Sequence, residues 1–451
     1  MSGGLLGLTP LDHIPAKLFL PYILYFDTTD PETAVHTIQN GIDKLISQLP
    51  WLAGDVILHS APDQPKNRMH IAAPRSSNPS QVPMLQVKHF DRDEDFRTHP
   101  VLEYLSLSTF IPASEQRPII RFRANVFPGK VALAMSFWHS VFDGTGAGVI
   151  FEAVAECCRA AANESETPIA QIIAKTHTGL RKNVSAFPSK GQVRLDHRVE
   201  LGTPIFDPSI SSEQWNAIES AAASAIETKR YTFRPEKVAN LKQMCTRLLP
   251  SSEAWISSND VITAILVICV DRALHSDKTT PAGFLMAVDM RSRVQPPLPE
   301  TYLGNSIFPV HGDIYFEETE DQDADLLQVA QLALHIRTKL TQLDETVVYS
   351  ASAAVAEYDD WAKVEAKPAG IIVTSWRGLK TFSLDFGAAL GYIEDFEPGL
   401  ALVPGGCILL PRRGLPGNNS DSTAPWEVCI TLKKGGSKTL VQDPLFSQIL
   451  K

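Results

Sequence analysis

The stretch VALAMSFWHSVFDGTGAG, residues 131–148, joins an apolar strand to a turn that carries two ionisable side chains. Its first eight residues are almost all apolar, a pattern typical of a strand that is covered on both faces. His139 follows directly, at the end of this strand, where enzymes built on sheets often carry functional residues. Because apolar surroundings favour the neutral imidazole, we expect His139 to accept a proton near pH 7.

The turn itself contains Asp143 and three glycines, Gly144, Gly146 and Gly148. Glycine permits a tight turn and a close approach of the backbone to a neighbour. Two roles are open to Asp143: it accepts a hydrogen bond from the imidazole of His139, or it pairs with an arginine and anchors the loop. A short match of this kind also arises by chance, so its interpretation needs support from the rest of the chain.

Hydrophobic periodicity predicts alternating strands and helices elsewhere. Apolar runs predict strands at residues 19–27, 117–127, 284–289 and 426–432. Apolar residues at helical spacing predict helices at residues 32–48, 149–161, 235–248, 259–275 and 324–343. Residues 163–215 are polar, interrupted by proline and only weakly periodic, which is typical of a long connection. The pattern therefore predicts a mixed α/β protein.

Size and charge narrow the class of protein. The 451 residues exceed one ordinary domain and predict two domains. Asp and Glu outnumber Lys and Arg by 51 to 41, whereas nucleic-acid binding requires a basic surface. We find no apolar run near the roughly 18 residues of a membrane span, and no signal peptide, so we expect a cytoplasmic protein. The six cysteines lack metal-ligand spacing; we expect free thiols, with Cys157 and Cys158 packed in a core.

Six further segments resemble motifs of the BAHD acyltransferase superfamily, in the order and rough spacing of that family. They are LTPLD (8–12), PWLAGDV (50–56), VDMRSR (288–293), YLGN (302–305), TSW (374–376) and DFG (385–387). The closest resemblance is to the fungal natural-product O-acyltransferases, which include trichothecene acetyltransferases. Two positions depart from the plant pattern: Asp55 stands where the family usually has Arg, and Ala388 stands where the plant enzymes have Trp. The second departure is typical of the fungal branch.

The resemblance implies an α/β fold of two chloramphenicol-acetyltransferase-like domains, with an active-site channel at their interface. We accordingly assign residues 1–190 to an N-terminal domain that carries the HxxxD motif, residues 191–225 to a crossover linker, and residues 226–451 to a C-terminal domain. Part of 360–395 is expected to pack with the N-terminal domain. Acyl-CoA and the acceptor are expected to enter the channel from opposite faces.

The resemblance also implies a mechanism. His139 acts as general base: it takes a proton from the acceptor as oxygen attacks the thioester, and returns the proton to the departing CoA thiolate. No covalent enzyme intermediate is required. Asp143 is expected to be structural rather than catalytic, paired with Arg291. Further structural residues at the site are expected to be Gly144, Asp385 and Gly387.

Contacts with substrate or CoA are expected from five side chains: Asp289, Arg293, Thr374, Trp376 and Phe386. Core packing is the competing interpretation for Trp376, a surface ion pair is the competing one for Arg293, and Asp289 suits a hydrogen-bond network better than catalysis. Thr374 or a nearby backbone N–H is expected to donate to the oxyanion. We expect no metal and no permanently bound cofactor, only acyl-CoA as co-substrate, with acetyl as the first choice.

The acceptor is expected to be a small terpenoid, polyketide or alkaloid alcohol, and the enzyme a monomer. Two alternatives remain. Peptide-synthetase condensation domains, which use a carrier-protein thioester, share the fold, but Trp138 replaces the first His of their motif, and the chain has no carrier domain. A catalytically silent binding relative is the second, against which the retained His139, Asp143 and Arg291 argue.

Overall fold

The computed structural model describes residues 5–74, 82–91, 101–163, 166–187, 199–202, 204, 207, 209–251, 254–274, 282–314, 322–399, 403–414 and 424–450. The strands in these ranges are β1 (Leu6–Gly7), β2 (Phe19–Asp27), β3 (Asp55–His59), β4 (Arg68–Ala72), β5 (Leu85–His89), β6 (Ile120–Phe127), β7 (Lys130–Trp138), β8 (Leu201–Gly202), β9 (Ile226–Phe233), β10 (Ala282–Asp289), β11 (Ile307–Ile314), β12 (Glu365–Ala366), β13 (Ile371–Ser375), β14 (Asp395–Pro398), β15 (Gly406–Leu409) and β16 (Trp426–Lys433). The helices are α1 (Pro31–Gln48), α2 (Gly144–Asn163), α3 (Pro168–Ser185), α4 (Ser212–Ala225), α5 (Pro235–Arg247), α6 (Ser258–Leu274), α7 (Gln322–Thr341), α8 (Glu345–Ala356), α9 (Gly436–Gln442) and α10 (Pro444–Ile449).

Two large sheets organise these elements. The N-terminal sheet has the strand order β14-β2-β7-β6-β5, and the C-terminal sheet has the order β11-β10-β13-β15-β16-β9. Within the C-terminal sheet, β13 lies between β10 and β15 and is parallel to both. Helix α6 covers this sheet, and all its residues from Val261 to Val270 are buried.

Strand β7 lies at the centre of the N-terminal sheet, which explains its apolar sequence. It pairs antiparallel with β2 on one side and β6 on the other. Leu133, Met135 and Phe137 belong to a core formed with α1 and α2, whereas Ala132 and Ala134 face a second cluster on the opposite side of the sheet. Successive side chains of a strand point to opposite faces, so a strand covered on both faces is apolar throughout.

The N-terminal sheet includes a strand from late in the chain. β14 pairs antiparallel with β2, with Phe396 opposite Leu24. Phe382 and Phe386, which precede β14, are buried in the same core as α1 and α2. Residues 382–398 therefore pack with the N-terminal sheet, although they follow most strands of the other sheet in sequence.

Helix α3 differs from the long connection that the sequence predicts from residue 163 onward. Its buried side chains follow helical spacing but include the polar residues His177 and Arg181 beside Ala170, Ile173 and Val184. Because two positions of the buried stripe are polar, the spacing of apolar residues alone did not reveal a helix here.

Of the predicted linker, residues 191–198 lie outside the described residues, whereas α4 occupies residues 212–225 with Ser211 as its N-cap. The domain boundaries stay a prediction. Among the residues that the structure describes, no helix is long and apolar enough to cross a membrane.

Candidate active site

His139 follows the last residue of β7, and its backbone fixes it in the turn. Its N–H donates to the carbonyl of Leu18 at 3.0 Å. Its ring nitrogen Nδ1 lies 3.0 Å from the carbonyl oxygen of Phe142. A carbonyl only accepts, so Nδ1 carries the hydrogen and Nε2 carries the lone pair. The imidazole is thus held in the tautomer that a base requires.

Burial favours the neutral form of this imidazole. It lowers the pKa of His139 below its ordinary value, and this effect outweighs the carbonyl of Phe142 and the charge of Asp143, which both raise the pKa. Lys17 lowers it slightly further. At neutral pH, Nε2 is therefore available to accept a proton.

A cavity of about 320 Å³ lies between the two sheets, and its wall is predominantly apolar. Several residues of the predicted site and its turn line this cavity: His139, Gly144, Thr145, Asp289, Thr374 and Trp376. The structure therefore brings together predicted site residues from three distant segments of the chain.

Asp143 pairs with Arg291. Its Oδ1 accepts from Nη2 of Arg291 at 2.8 Å, and its Oδ2 accepts from Nη1 at 2.9 Å. The backbone N–H groups of Gly146 and Ser306 donate to the same carboxylate at 2.8 and 3.0 Å. With four donors, Asp143 is fully buried and fully bonded. Its carboxylate anchors the loop, while His139 uses the Phe142 carbonyl instead.

Arg291 is in turn held by the YLGN segment. Its guanidinium donates to the carbonyls of Tyr302 at 2.9 Å and Gly304 at 3.0 Å. Burial opposes its charge, but Asp143 and Asp289 more than offset this effect, so the pKa of Arg291 is raised. The guanidinium therefore stays charged and joins the turn that contains His139 and Asp143 to the C-terminal sheet.

A second buried ion pair holds the same turn from the other side. Arg181 on α3 donates to Oδ2 of Asp12 at 2.5 Å and to the carbonyl of Val141 at 2.8 Å. Oδ1 of Asp12 accepts from Asn305, whose side-chain amide also donates to the carbonyl of His139 at 3.0 Å. Sequence reasoning missed Arg181. An arginine one helical turn after His177, within an apolar stripe, was the available signal.

Gly144 and Trp376 lie in close contact. A methyl group on Gly144 would lie 2.8 Å from Nε1 of Trp376, so a larger residue would displace the indole. The ring of Trp376 packs against Tyr22 with centroids 4.7 Å apart, and it also lines the cavity. Trp376 therefore packs in the core and also lines the cavity, and its contact with a ligand stays a prediction.

The remaining predicted residues lie elsewhere. Arg293 donates to the carbonyls of Leu340 and Leu343, at 2.5 and 3.0 Å, near the end of α7. Asp385 accepts from the N–H of Gly387 at 2.8 Å, and Gly387 has a φ of +92°, which favours glycine. Phe386 is fully buried against Phe26, so its ring has no surface to offer a ligand. The guanidinium of Arg293 is therefore occupied by backbone carbonyls, and the ring of Phe386 is enclosed in the core.

A larger open groove of about 1200 Å³ adjoins the cavity. Trp376 lines the cavity, and the two residues that follow it in the chain, Arg377 and Gly378, line the groove. Four basic residues line it: Lys242, Arg247, Arg377 and Arg412. The first residues of α6 line it as well. Unbonded backbone N–H groups at a helix N-terminus favour anions, as basic side chains do.

Known proteins resemble this chain over nearly its whole length. A family model described as the Transferase family matches residues 87–391, which is more than half of the chain. The communesin N16 acyltransferase of Penicillium expansum is 31% identical, over 97% of this chain and 96% of its own. The fumigaclavine B O-acetyltransferase of Aspergillus fumigatus is 28% identical, over 97% of this chain and 96% of its own.

A solved structure supports the fold. TRI101 of F. sporotrichioides, complexed with coenzyme A and T-2, matches with a TM-score of 0.75, at 19% identity, over 99% of each chain. The predicted two-domain α/β fold is thereby confirmed. The chain belongs to the transferase family of BAHD acyltransferases, and it is an acyl-transferring enzyme.

Proposed function

We propose that the protein transfers an acyl group, acetyl as the first choice, from acyl-CoA to a hydroxyl of a multi-ring secondary metabolite, with His139 as general base. The observation that carries this proposal is the hydrogen bond from Nδ1 of His139 to the Phe142 carbonyl, in an apolar cavity between the sheets. It leaves the lone pair of Nε2 for the acceptor. The name of the fumigaclavine B O-acetyltransferase supports an oxygen acceptor, whereas that of the communesin N16 acyltransferase points to a nitrogen acceptor.

The reaction needs one proton to move twice. Nε2 of His139 takes the hydroxyl proton while the acceptor oxygen bonds to the thioester carbonyl carbon. The resulting tetrahedral intermediate then collapses, the carbon–sulfur bond breaks, and the imidazolium returns the proton to the thiolate. The products are the ester and free CoA. Base catalysis of this kind contributes about 10²–10⁴-fold, and positioning supplies much of the rest.

Trp376 is our choice for the oxyanion donor. Its Nε1 lies beside Gly144, five residues after His139 in the chain, and the indole lines the cavity. Thr374 lines the same wall, but a hydroxyl also accepts hydrogen bonds, whereas an indole N–H only donates. A donor that packing holds in place before the reaction needs little reorganisation during it.

The basic groove is proposed to bind the phosphate end of CoA. The protein has a net charge of −10, so an anionic co-substrate requires a local concentration of positive charge. Arg377 follows Trp376 directly, so a ligand in the groove lies next to the cavity wall. Its guanidinium also lies 3.8 Å from the ring of Trp426, which fixes the charge at this wall. The thioester arm is then proposed to reach from the groove toward His139.

No cysteine supports a covalent alternative. All six are buried, and burial raises the pKa of Cys157 to about 11 and that of Cys158 to about 12. Cys407 lines the cavity, but burial raises its pKa to about 12 as well. These thiols stay protonated near pH 7 and are poor nucleophiles.

The function is tested by donor choice. The purified protein is incubated with acetyl-, butyryl- and benzoyl-CoA and a panel of polycyclic alcohols, and free thiol and ester are measured together. We expect ester and thiol in equal amounts, with acetyl-CoA the fastest donor. Turnover with a carrier-protein thioester but none with any acyl-CoA would overturn the proposal. A cytoplasmic monomer remains our expectation, to be checked by a fluorescent fusion and by size-exclusion chromatography.

A further inference from the structure

Asp289, at the end of β10, is a carboxylate on the wall of the apolar cavity that also contains His139. Its side chain is 41% exposed, whereas that of Asp143 is completely buried. The two carboxylates share one guanidinium, that of Arg291. The cluster therefore contains two negative charges and one positive charge.

The hydrogen bonds of Asp289 leave part of the carboxylate open. Oδ1 accepts twice from Arg291, from the backbone N–H at 2.9 Å and from Nη1 at 3.1 Å. Oδ2 accepts once, from the hydroxyl of Thr145 at 3.1 Å. A carboxylate oxygen accepts about two hydrogen bonds, so Oδ2 has room for one more donor.

Neighbouring positive charge does not cancel this excess. The N-terminus of α2, at Gly144 and Thr145, supplies about half a positive charge, which leaves the cluster negative. Lys367 also lines the cavity, but it pairs with Glu200 at 2.9 Å. Glu365, the second carboxylate of the cavity wall, is buried close to Lys17.

We propose that Asp289 binds a protonated amine of the acceptor, so that the preferred substrates are amino alcohols whose hydroxyl reaches His139 while an ammonium N–H donates to Oδ2. This inference rests on the proposed function, because it assigns the acceptor to the same cavity. An ion pair is stronger in an apolar cavity than in water, which gives the carboxylate its selectivity. The ammonium itself has no lone pair, so the hydroxyl remains the nucleophile.

The test compares two bicyclic alcohols of the same shape. One is 1-hydroxymethylquinolizidine, a tertiary amine that is protonated at pH 7, and the other is 1-hydroxymethyldecalin, in which CH replaces the nitrogen. Dissociation constants are measured by ligand-observed NMR on the wild-type protein and on Asp289→Asn. The asparagine keeps Oδ1 as the acceptor for Arg291, and its Nδ2 can donate to the hydroxyl of Thr145, but the negative charge is removed. Glu300→Gln is the matched control, because Glu300 is exposed and pairs with Lys380 away from the cavity.

We expect the wild-type protein and the control to bind the amine at least tenfold more tightly than the decalin alcohol, and Asp289→Asn to bind the two within about threefold. Equal binding by the wild type, no binding of the amine, or a preference that survives in Asp289→Asn would each overturn the inference. Binding is measured without acyl-CoA, so failure of acyl transfer is a separate result. A failure of acyl transfer would refute the proposed function, whereas a measured preference for binding the amine would still stand.

Discussion

Asp143 and Arg291 face each other through two parallel hydrogen bonds of 2.8 and 2.9 Å, and the partner of the His139 imidazole is the Phe142 carbonyl. The Asp of the HxxxD motif is thus an anchor for the turn. Paired guanidinium and carboxylate groups fix orientation as well as distance. The imidazole of His139 is held by the turn that this ion pair stabilises.

The fork geometry of this pair makes arginine irreplaceable by lysine. We expect Arg291→Lys to lose about 1.5–3 kcal/mol of unfolding free energy, because one charge-assisted hydrogen bond and the contacts to Tyr302 and Gly304 disappear. Urea unfolding measures this loss. Arg293→Lys is the control, because one nitrogen of Arg293 makes both of its carbonyl contacts. Equal losses in the two variants would contradict the role of the fork.

Arg181 is expected to act on the rate rather than on binding. Arg181→Met removes the donor to the carbonyl of Val141 and leaves the buried Asp12 short of a partner. We expect kcat to fall by about 10²-fold, since small displacements of a base are costly, with KM for both substrates nearly unchanged. Steady-state kinetics test this. The exposed neighbour Lys182→Met should behave as the wild type; a rise in KM with normal kcat in Arg181→Met would refute a positioning role.

The substitution Trp376→Phe removes the indole N–H donor but keeps an aromatic ring at this position. We expect the phenyl ring to keep the packing against Tyr22 while the lost donor lowers kcat by about 10²-fold. Trp255→Phe is the matched control, because Trp255 is exposed and lies outside the cavity lining. Unchanged kcat in Trp376→Phe would assign the oxyanion to another donor.

The buried side chain of His13 is expected to make the free energy of unfolding sensitive to acid. It is fully buried, its Nδ1 lies 2.9 Å from the Thr9 carbonyl, and its Nε2 accepts from the N–H of Met69. Burial, more than the nearby Lys17, lowers its pKa to about 3. The unfolded chain therefore binds one more proton below pH 6.5, and stability is present above 6.5 and lost as the pH falls toward 3.

The slope from this one residue approaches about 1.4 kcal/mol per pH unit within that window. Urea unfolding at pH 7, 6 and 5 measures the slope for the wild-type protein and for His13→Gln, in which an amide replaces the ring without titrating. We expect a shallower slope in the variant. Identical slopes would mean that His13 is not the titrating group.

Sequence patterns predicted the parts of this structure that follow from local spacing, which are the apolar run of β7 and the turn that begins at His139. The pairing of Asp143 with Arg291, which the structure also contains, was implied by the family resemblance and not by spacing. The missed parts involve buried polar residues. Arg181 and His177 interrupt the apolar stripe of α3; their spacing of one helical turn was the only local signal, because Asp12, the ion-pair partner of Arg181, lies far away in sequence.

The direction in which each side chain points is the second feature that the sequence did not predict. The sequence shows that Arg293 and Phe386 lie in family motifs, but only the fold shows that one donates to carbonyls near α7 and the other enters a core. Membership of a motif therefore does not determine the direction in which a side chain points. The groove residues Lys242 and Arg412 belong to no motif and had no signal in the sequence.

The pH dependence of kcat/KM should report the imidazole itself. Because protonated His139 cannot accept a proton and its pKa is lowered by burial, activity should be flat around pH 7 and fall only below about pH 6.5. Thiol release across the pH range gives this profile. An acid limb centred above pH 7 would contradict a buried, neutral base.

The central claim is that His139 is the base, and one comparison tests it most directly. Ester formation from acetyl-CoA is measured for His139→Ala and for His335→Ala, which changes an exposed histidine on α7 outside the cavity. We expect His139→Ala to retain less than about one hundredth of the wild-type rate, and His335→Ala to retain nearly all of it. Transfer by His139→Ala at the wild-type rate would contradict the account.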